Sequence, residues 1–203
     1  MTPRVLFLPG AFGAADFWRP VGELLPDAWD KVYLSWPGLG LQEPDPQVQG
    51  FDDLVRLVER ELNGTSDLVA QSIGGVVAVR VALRHPEKVR RLVLVATSGG
   101  VDVDSLGAAD WRDDYRRDHP DAAGWITRAP PDYSHEIGTI ATPTLLLWGD
   151  SDPISPVAVG EHLRSLLPNA RIHILAGGTH SLAADRAEDV APIIAAHLAP
   201  DEG

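Results

Sequence analysis

The chain has 203 residues, of which 44% are hydrophobic and 23% charged, a composition typical of one compact globular domain and not of a disordered or membrane-spanning chain. Its formal net charge of -12, without clustered Lys and Arg, argues against nucleic acid as a partner, because binding phosphates requires positive charge. The absence of cysteine excludes a disulfide framework, a thiolate nucleophile and a Cys-ligated metal site.

The beginning of the chain superficially resembles a signal peptide, with Arg4 before an apolar run. That run ends at Pro9-Gly10 and is too short for the apolar region of a secretory signal. A strand followed by a loop explains it better. We therefore expect a cytoplasmic protein with no segment inserted in a membrane.

Six segments have the pattern of short buried strands, because each is a continuous apolar run that ends near Gly, Pro or another small residue. They are residues 5–8, 32–34, 68–70, 92–96, 144–148 and 172–175. Continuous apolar runs of this length are typical of parallel strands that are covered on both faces.

Helical patterns separate these strands. An apolar stripe with helical spacing predicts an amphipathic helix over Phe51, Leu54, Val55, Val58 and Leu62. A second helix is predicted over residues 73–84, since His85 precedes a proline. A third is predicted to run to Leu167, with Ser155 as N-cap and Pro156 as its first residue. The last covers residues 189–198.

The alternation of strands and helices predicts an α/β fold, a doubly wound, mainly parallel six-stranded sheet flanked by helices, with ligands at the carboxyl ends of the strands. Residues 98–140 break the alternation. They contain many charged residues and four aromatic ones, namely Trp111, Tyr115, Trp125 and Tyr133. We expect this interval to be a small inserted lid, and residues 1–97 and 141–203 to form the core.

Ser72 stands where a buried strand turns sharply into an apolar helix, in the sequence Ala70-Gln71-Ser72-Ile73-Gly74. Such a turn needs small neighbours, here Ala70 and Gly74, and it leaves the serine hydroxyl clear at the end of the strand. The positive end of the helix favours an anion beside Ser72. Alternatively, small residues at this junction only allow close packing.

A serine hydroxyl is a weak nucleophile, so it needs a neighbouring base, and the base needs an orienting carboxylate. The strand at 144–148 runs into a turn that contains Asp150 and Asp152, and the last strand leads to His180. Taken singly, His180 could be a surface histidine and Asp152 a carboxylate before a helix. Their order after Ser72 favours a Ser-His-Asp triad.

These motifs resemble the α/β-hydrolase superfamily, in the branch of esterases, carbon–carbon hydrolases and cofactor-free haloperoxidases. The resemblance covers nearly the whole chain. It implies that the acid is Asp152, three residues after Gly149, and that the base is His180, two residues after Gly178. Asp150 would then brace the turn or face solvent.

The segment Pro9-Gly10-Ala11-Phe12-Gly13 resembles the oxyanion loop of this family. The resemblance implies that the backbone N–H groups of Ala11 and Ile73 stabilise an oxyanion, with Phe12 as the alternative to Ala11. Pro9 replaces the usual His, and Ala70 replaces the first glycine at the nucleophile. Neither change removes a reacting group.

We therefore expect a serine hydrolase that cleaves an ester, thioester or related acyl bond of a small molecule, without a cofactor or metal. The alternatives are a carbon–carbon hydrolase, a lyase or a cofactor-free haloperoxidase of the same fold, or a member that only binds a ligand. We expect substrate contacts from Phe12, Gln71, Trp111 and Trp125. The two tryptophans could instead merely pack the lid onto the core.

Overall fold

A computed structural model describes residues 2–128 and 130–200 of the chain. Six parallel strands form one sheet in the order β2-β1-β3-β4-β5-β6. They are β1 Arg4–Leu8, β2 Asp30–Tyr33, β3 Ser66–Gln71, β4 Val89–Val95, β5 Thr144–Gly149 and β6 Ala170–Leu175. This sheet confirms the predicted α/β class. The strand order reverses between β1 and β3, and in such sheets ligands bind at the carboxyl ends of the strands on either side of that point.

Seven helices accompany the sheet in the described residues, and none of them is long and apolar enough to cross a membrane. They are α1 Arg19–Leu24, α2 Phe51–Glu61, α3 Ile73–Arg84, α4 Arg112–Asp118, α5 Val157–Leu166, α6 Leu182–Asp185 and α7 Ala187–Leu198. Because successive strand residues point to opposite faces, β1 contributes Leu6 and Leu8 to one apolar cluster and Val5 and Phe7 to another. Helices α2, α3 and α5 pack on the first cluster, and α1, α6 and α7 on the second.

The start of α5 differs from the sequence prediction. The helix begins at Val157, and Pro156 is extended, with φ -63° and ψ 161°. The residues before it form a turn in which Asp152 Oδ1 accepts the backbone N–H groups of Ile154 and Ser155. Ser155 therefore does not act as the helix N-cap, and its hydroxyl accepts a hydrogen bond from Trp148 Nε1 instead.

The predicted lid, residues 98–140, connects β4 to β5. It consists of α4 and of short 3-10 turns at Asp104–Leu106, Gly124–Thr127 and Ile137–Thr139. Its buried apolar side chains join the apolar cluster beneath α2, α3 and α5, and they are Val101, Tyr115, Ile126, Tyr133, Ile137 and Ile140. The segment is thus packed against one face of the domain.

Candidate active site

Ser72 is the single residue between β3 and α3. Its backbone has φ 52° and ψ -120°, a conformation that residues other than glycine rarely adopt and that is commonest at functional sites. Its N–H donates to Val95 O at 3.0 Å, and its carbonyl oxygen accepts the hydroxyl of Thr97 at 2.6 Å. Bonds to the end of β4 therefore hold the strained residue in place.

Gly74 allows the first turn of α3 to lie directly against the end of β1. A Cβ atom at this position would lie 2.5 Å from Pro9 O and 2.6 Å from Leu8 O. These are backbone atoms, which cannot rotate away as a flexible side chain could. A small residue at position 74 is thus a steric requirement of the turn that carries Ser72.

His180 connects Ser72 to Asp152 through both nitrogens of its ring. The distance from His180 Nε2 to Ser72 Oγ is 3.1 Å, and that from His180 Nδ1 to Asp152 Oδ2 is 2.8 Å. The Asp152 side chain has no exposed surface, whereas 21% of the His180 side chain is exposed. The structure thus brings the three residues expected to form the triad into one chain of hydrogen bonds.

The loops that carry Asp152 and His180 are in backbone contact. A Cβ atom on Gly149 would lie 2.0 Å from Gly178 O, and one on Gly178 would lie 2.8 Å from Gly149 Cα. The N–H of Ser151 also donates to Gly178 O at 3.0 Å. These two glycines therefore permit the approach that places Asp152 next to His180.

Gln71 does not line the cavity next to Ser72, although we expected it to contact substrate. It is buried, and its Nε2 donates to His180 O at 3.2 Å. On the other side, a Cβ atom on Gly10 would lie 2.2 Å from Gln71 Oε1. The side chain thus lies between the loop of His180 and the loop after β1. No local sequence pattern indicates this placement, because the contact spans most of the chain.

The predicted oxyanion donors belong to two segments, the start of α3 and the loop after β1. Ile73 is the first residue of α3, where a backbone N–H has no acceptor within the helix, and it lines the cavity. In the loop after β1, Gly10 O accepts the N–H of Gly13 at 3.0 Å. The Gly10–Ala11 peptide is trans and planar, so this bond fixes the direction of the Ala11 N–H.

A cavity of about 680 Å³ lies beside Ser72 and His180. Trp111 lines it, as expected, but Phe12 and Trp125 do not. The Phe12 side chain is 62% exposed, and its ring contacts His119. Trp125 packs edge-on against Phe51, which does line the cavity. Of the four expected substrate contacts, Trp111 alone lies on the cavity wall in the described residues.

The cavity wall is mostly apolar where it is buried and mostly charged where it is exposed. The buried lining residues include Val76, Val101, Ile126 and Val159. The exposed lining residues include Asp102, Asp104, Asp110, Arg128 and Asp132. Hydrogen bonds from the backbone N–H and guanidinium of Arg112 lower the pKa of Asp110, and those from the hydroxyl and N–H of Ser134 lower the pKa of Asp132. Both carboxyl groups are therefore charged at neutral pH.

The fold and the site define a hydrolase with the α/β-hydrolase fold. The family model described as "alpha/beta hydrolase fold" matches residues 3–130 and 108–187, and the chain belongs to this family.

Similar proteins include hydrolases that act on different substrates. The chain is 27% identical to a pimeloyl-[acyl-carrier protein] methyl ester esterase of Neisseria meningitidis serogroup C over an alignment of 213 positions, gaps included, which covers 83% of each protein. It is 26% identical to the polyketide synthase ThaQ of Burkholderia thailandensis over 97% of its own length but only 12% of that protein. The crystal structure of a hydrolase from Pseudomonas aeruginosa has a TM-score of 0.80 at 17% identity, and the match covers 98% of this chain and 91% of the other.

Proposed function

We propose that this protein is a serine hydrolase that cleaves an ester or thioester of a small molecule through a covalent acyl-enzyme. The observation that carries the proposal is the chain of hydrogen bonds from Ser72 through His180 to Asp152 beside a cavity of about 680 Å³. Methyl ester cleavage by the Neisseria relative, as its name states, supports the same reaction class.

The reaction begins when Ser72 Oγ attacks the acyl carbon and His180 Nε2 takes the hydroxyl proton. Asp152 accepts the other ring N–H of His180, which keeps Nε2 free to act as the base. The tetrahedral intermediate then collapses, and His180 returns the proton to the leaving alcohol or thiol. Water attacks the acyl-serine in the same way and releases the acid.

The negative oxygen of each tetrahedral intermediate needs donors that are already in place. We assign the N–H of Ile73, at the positive end of α3, and the N–H of Ala11, with Phe12 as the alternative. The hydrogen bond of Gly10 O to Gly13 supports this assignment, because it orients the Ala11 N–H before substrate binds.

We also propose that residues 98–140 act as a lid that selects the substrate. Support comes from the lining of the cavity, to which this segment contributes Trp111, Ile126 and several exposed charged residues. An apolar acyl group would occupy the buried part of the cavity, and a polar leaving group would lie nearer the charged residues.

A fluorophosphonate probe tests the proposal, because it reacts with an activated serine hydroxyl and phosphonylates it. We expect mass spectrometry to find the adduct on Ser72, and Ser72→Ala to lose both the adduct and the turnover of p-nitrophenyl esters. Ser151→Ala is the matched control, because Ser151 is an exposed serine next to Asp152 on the same turn. A wild-type protein that neither reacts with the probe nor hydrolyses any ester would instead support a scaffold that only binds a ligand.

A further inference from the structure

Tyr115 connects the predicted lid to two loops in the first 40 residues of the chain. Its hydroxyl donates to Ala11 O at 2.8 Å and accepts the backbone N–H of Gly40 at 2.9 Å. The ring is buried and packs against Trp111 and His119, with centroids 5.5 Å and 4.9 Å away. One hydroxyl therefore joins the lid, the loop after β1 and the loop after β2.

The hydroxyl keeps its proton over the working pH range, because burial raises the pKa of Tyr115 above its ordinary value of 10.0. It therefore acts as a donor to Ala11 O throughout. Since the Ala11–Phe12 peptide is planar and trans, fixing the Ala11 carbonyl also fixes the direction of the Phe12 N–H.

The two peptide planes on either side of Ala11 are thus held by different partners. Gly13 holds the first through Gly10 O, and Tyr115 holds the second through Ala11 O. Rotation of the second plane would turn the Phe12 N–H and would also shift the Ala11 N–H through the shared Cα atom. Whether the donor of this loop is Ala11 or Phe12, the direction of its N–H therefore depends on the Tyr115 hydroxyl.

We propose that Tyr115 is a positioning residue that sets the oxyanion loop, so that docking of the lid determines the rate of the chemical steps. This inference rests on the proposed serine hydrolase function. Oxyanion donors act where negative charge develops, in the transition state, and contribute little to binding of the uncharged ester. Loss of the hydroxyl should therefore lower kcat and leave KM almost unchanged.

The first test compares Tyr115→Phe with Tyr133→Phe, using p-nitrophenyl acetate. Both changes remove the hydroxyl of a buried tyrosine in the predicted lid. Among the described residues, Tyr133 forms hydrogen bonds through its backbone N–H and carbonyl, and none through its hydroxyl. For Tyr115→Phe we expect kcat to fall about 10- to 100-fold and KM to change less than about twofold. This loss of kcat is smaller than the loss that follows when an oxyanion donor is removed outright. Tyr133→Phe should keep kcat within about twofold.

The second test uses a boronic acid, which forms a tetrahedral adduct with an active serine, and compares it with the product acid. The affinity of Tyr115→Phe for the boronic acid should fall by about the same factor as kcat, while its affinity for the acid stays the same. Should Tyr115→Phe not fold, replacing Tyr115 by 4-aminophenylalanine retains a donor at the same place, and this variant should keep kcat within about fivefold.

An unchanged kcat in Tyr115→Phe, a higher KM at constant kcat, or an equal loss in Tyr133→Phe would each overturn the inference. So would a folded 4-aminophenylalanine variant with kcat reduced a hundredfold or more. Failure of the proposed function has a different signature, namely a wild-type protein that hydrolyses no ester, or ester turnover that persists in Ser72→Ala.

Discussion

Asp150 and Asp152 lie on one turn after β5, yet their carboxylates have different partners. Asp150 Oδ1 accepts the backbone N–H of Gly177 at 2.6 Å and is exposed. Asp152 is buried, and its Oδ2 lies 2.8 Å from His180 Nδ1. One carboxylate thus braces the loop that carries His180, and the other contacts the His180 ring itself.

This difference predicts unequal effects of removing the two charges. Asp152→Asn should lower ester turnover by roughly four orders of magnitude, because an amide at this position favours the wrong tautomer of His180. Asp150→Asn should cost about tenfold or less, since an amide oxygen can still accept the Gly177 N–H. Turnover and thermal unfolding of both variants would be measured together. A dead Asp150 variant beside an active Asp152 variant would contradict the assignment of the acid.

Gly74 should not tolerate even one added methyl group. Gly74→Ala would place a Cβ atom 2.5 Å from Pro9 O, so the turn or the end of β1 must move. We expect a loss of about 1–3 kcal/mol in the free energy of unfolding and reduced labelling of Ser72 by a fluorophosphonate. Gly124→Ala is the control, because a Cβ atom there meets nothing within 4 Å. Equal stability of the two variants in urea would refute the steric argument.

The two tryptophans of the predicted lid should affect different properties. Trp111→Leu changes the cavity wall and should alter the ratio of kcat/KM for long-chain over short-chain nitrophenyl esters by about tenfold or more. Trp125 does not line the cavity, and its ring packs against Phe51, which does. Trp125→Leu should therefore lower the melting temperature and leave this ratio within about twofold. The proposed role of Trp111 is wrong if both variants keep the wild-type preference.

His197 gives the fold a pH dependence that is separate from catalysis. Burial lowers the pKa of this histidine from 6.5 to about 4, while its Nε2 lies 3.1 Å from Leu92 O. Between these pH values the unfolded chain binds a proton that the folded protein does not bind. The contribution of neutral His197 to the free energy of unfolding is therefore fully present above about pH 6.5. It is lost as the pH falls toward 4, which lowers that free energy by about 3 kcal/mol.

The variant His197→Gln isolates this effect, because its amide can donate to the same carbonyl but does not titrate. Relative to the wild type, its free energy of unfolding in urea should improve by up to about 3 kcal/mol between pH 7 and pH 4. Asp67 acts in the opposite direction in this range, since burial raises the pKa of its carboxyl to about 6. That effect is common to both proteins and cancels in the comparison. A constant difference between them would show that His197 does not titrate as argued.

The sheet could be predicted from the sequence because each strand is a local apolar run. The ends of the strands and helices were harder to predict. Ala96 was predicted as the end of β4 but lies outside it with φ 46°, a conformation that apolar patterning does not reveal. The start of α5 was misplaced because the Asp152 carboxylate holds residues 154 and 155 in a turn and Pro156 is extended, so the helix begins only at Val157.

The site was less predictable where it depends on contacts between distant segments. Tyr115 was recognised only as an aromatic residue of the predicted lid, because its bond to Ala11 joins residues 104 positions apart. Gln71 was expected to contact substrate, whereas its side chain bonds to His180 O, 109 positions away. Periodicity and motif spacing carry information about neighbours along the chain, so they could not predict either of these long-range contacts.

Ser72 and Ala96, the two residues other than glycine with positive φ in the described chain, follow neighbouring strands that are paired up to Gln71 and Val95. Each such conformation costs about 1–3 kcal/mol, so the chain concentrates unfavourable backbone geometry at Ser72 and after the neighbouring strand. Selection for heat resistance alone would favour glycine at either position. At position 72 glycine would also remove the hydroxyl, so the chain keeps a serine in this turn at a cost in folding stability.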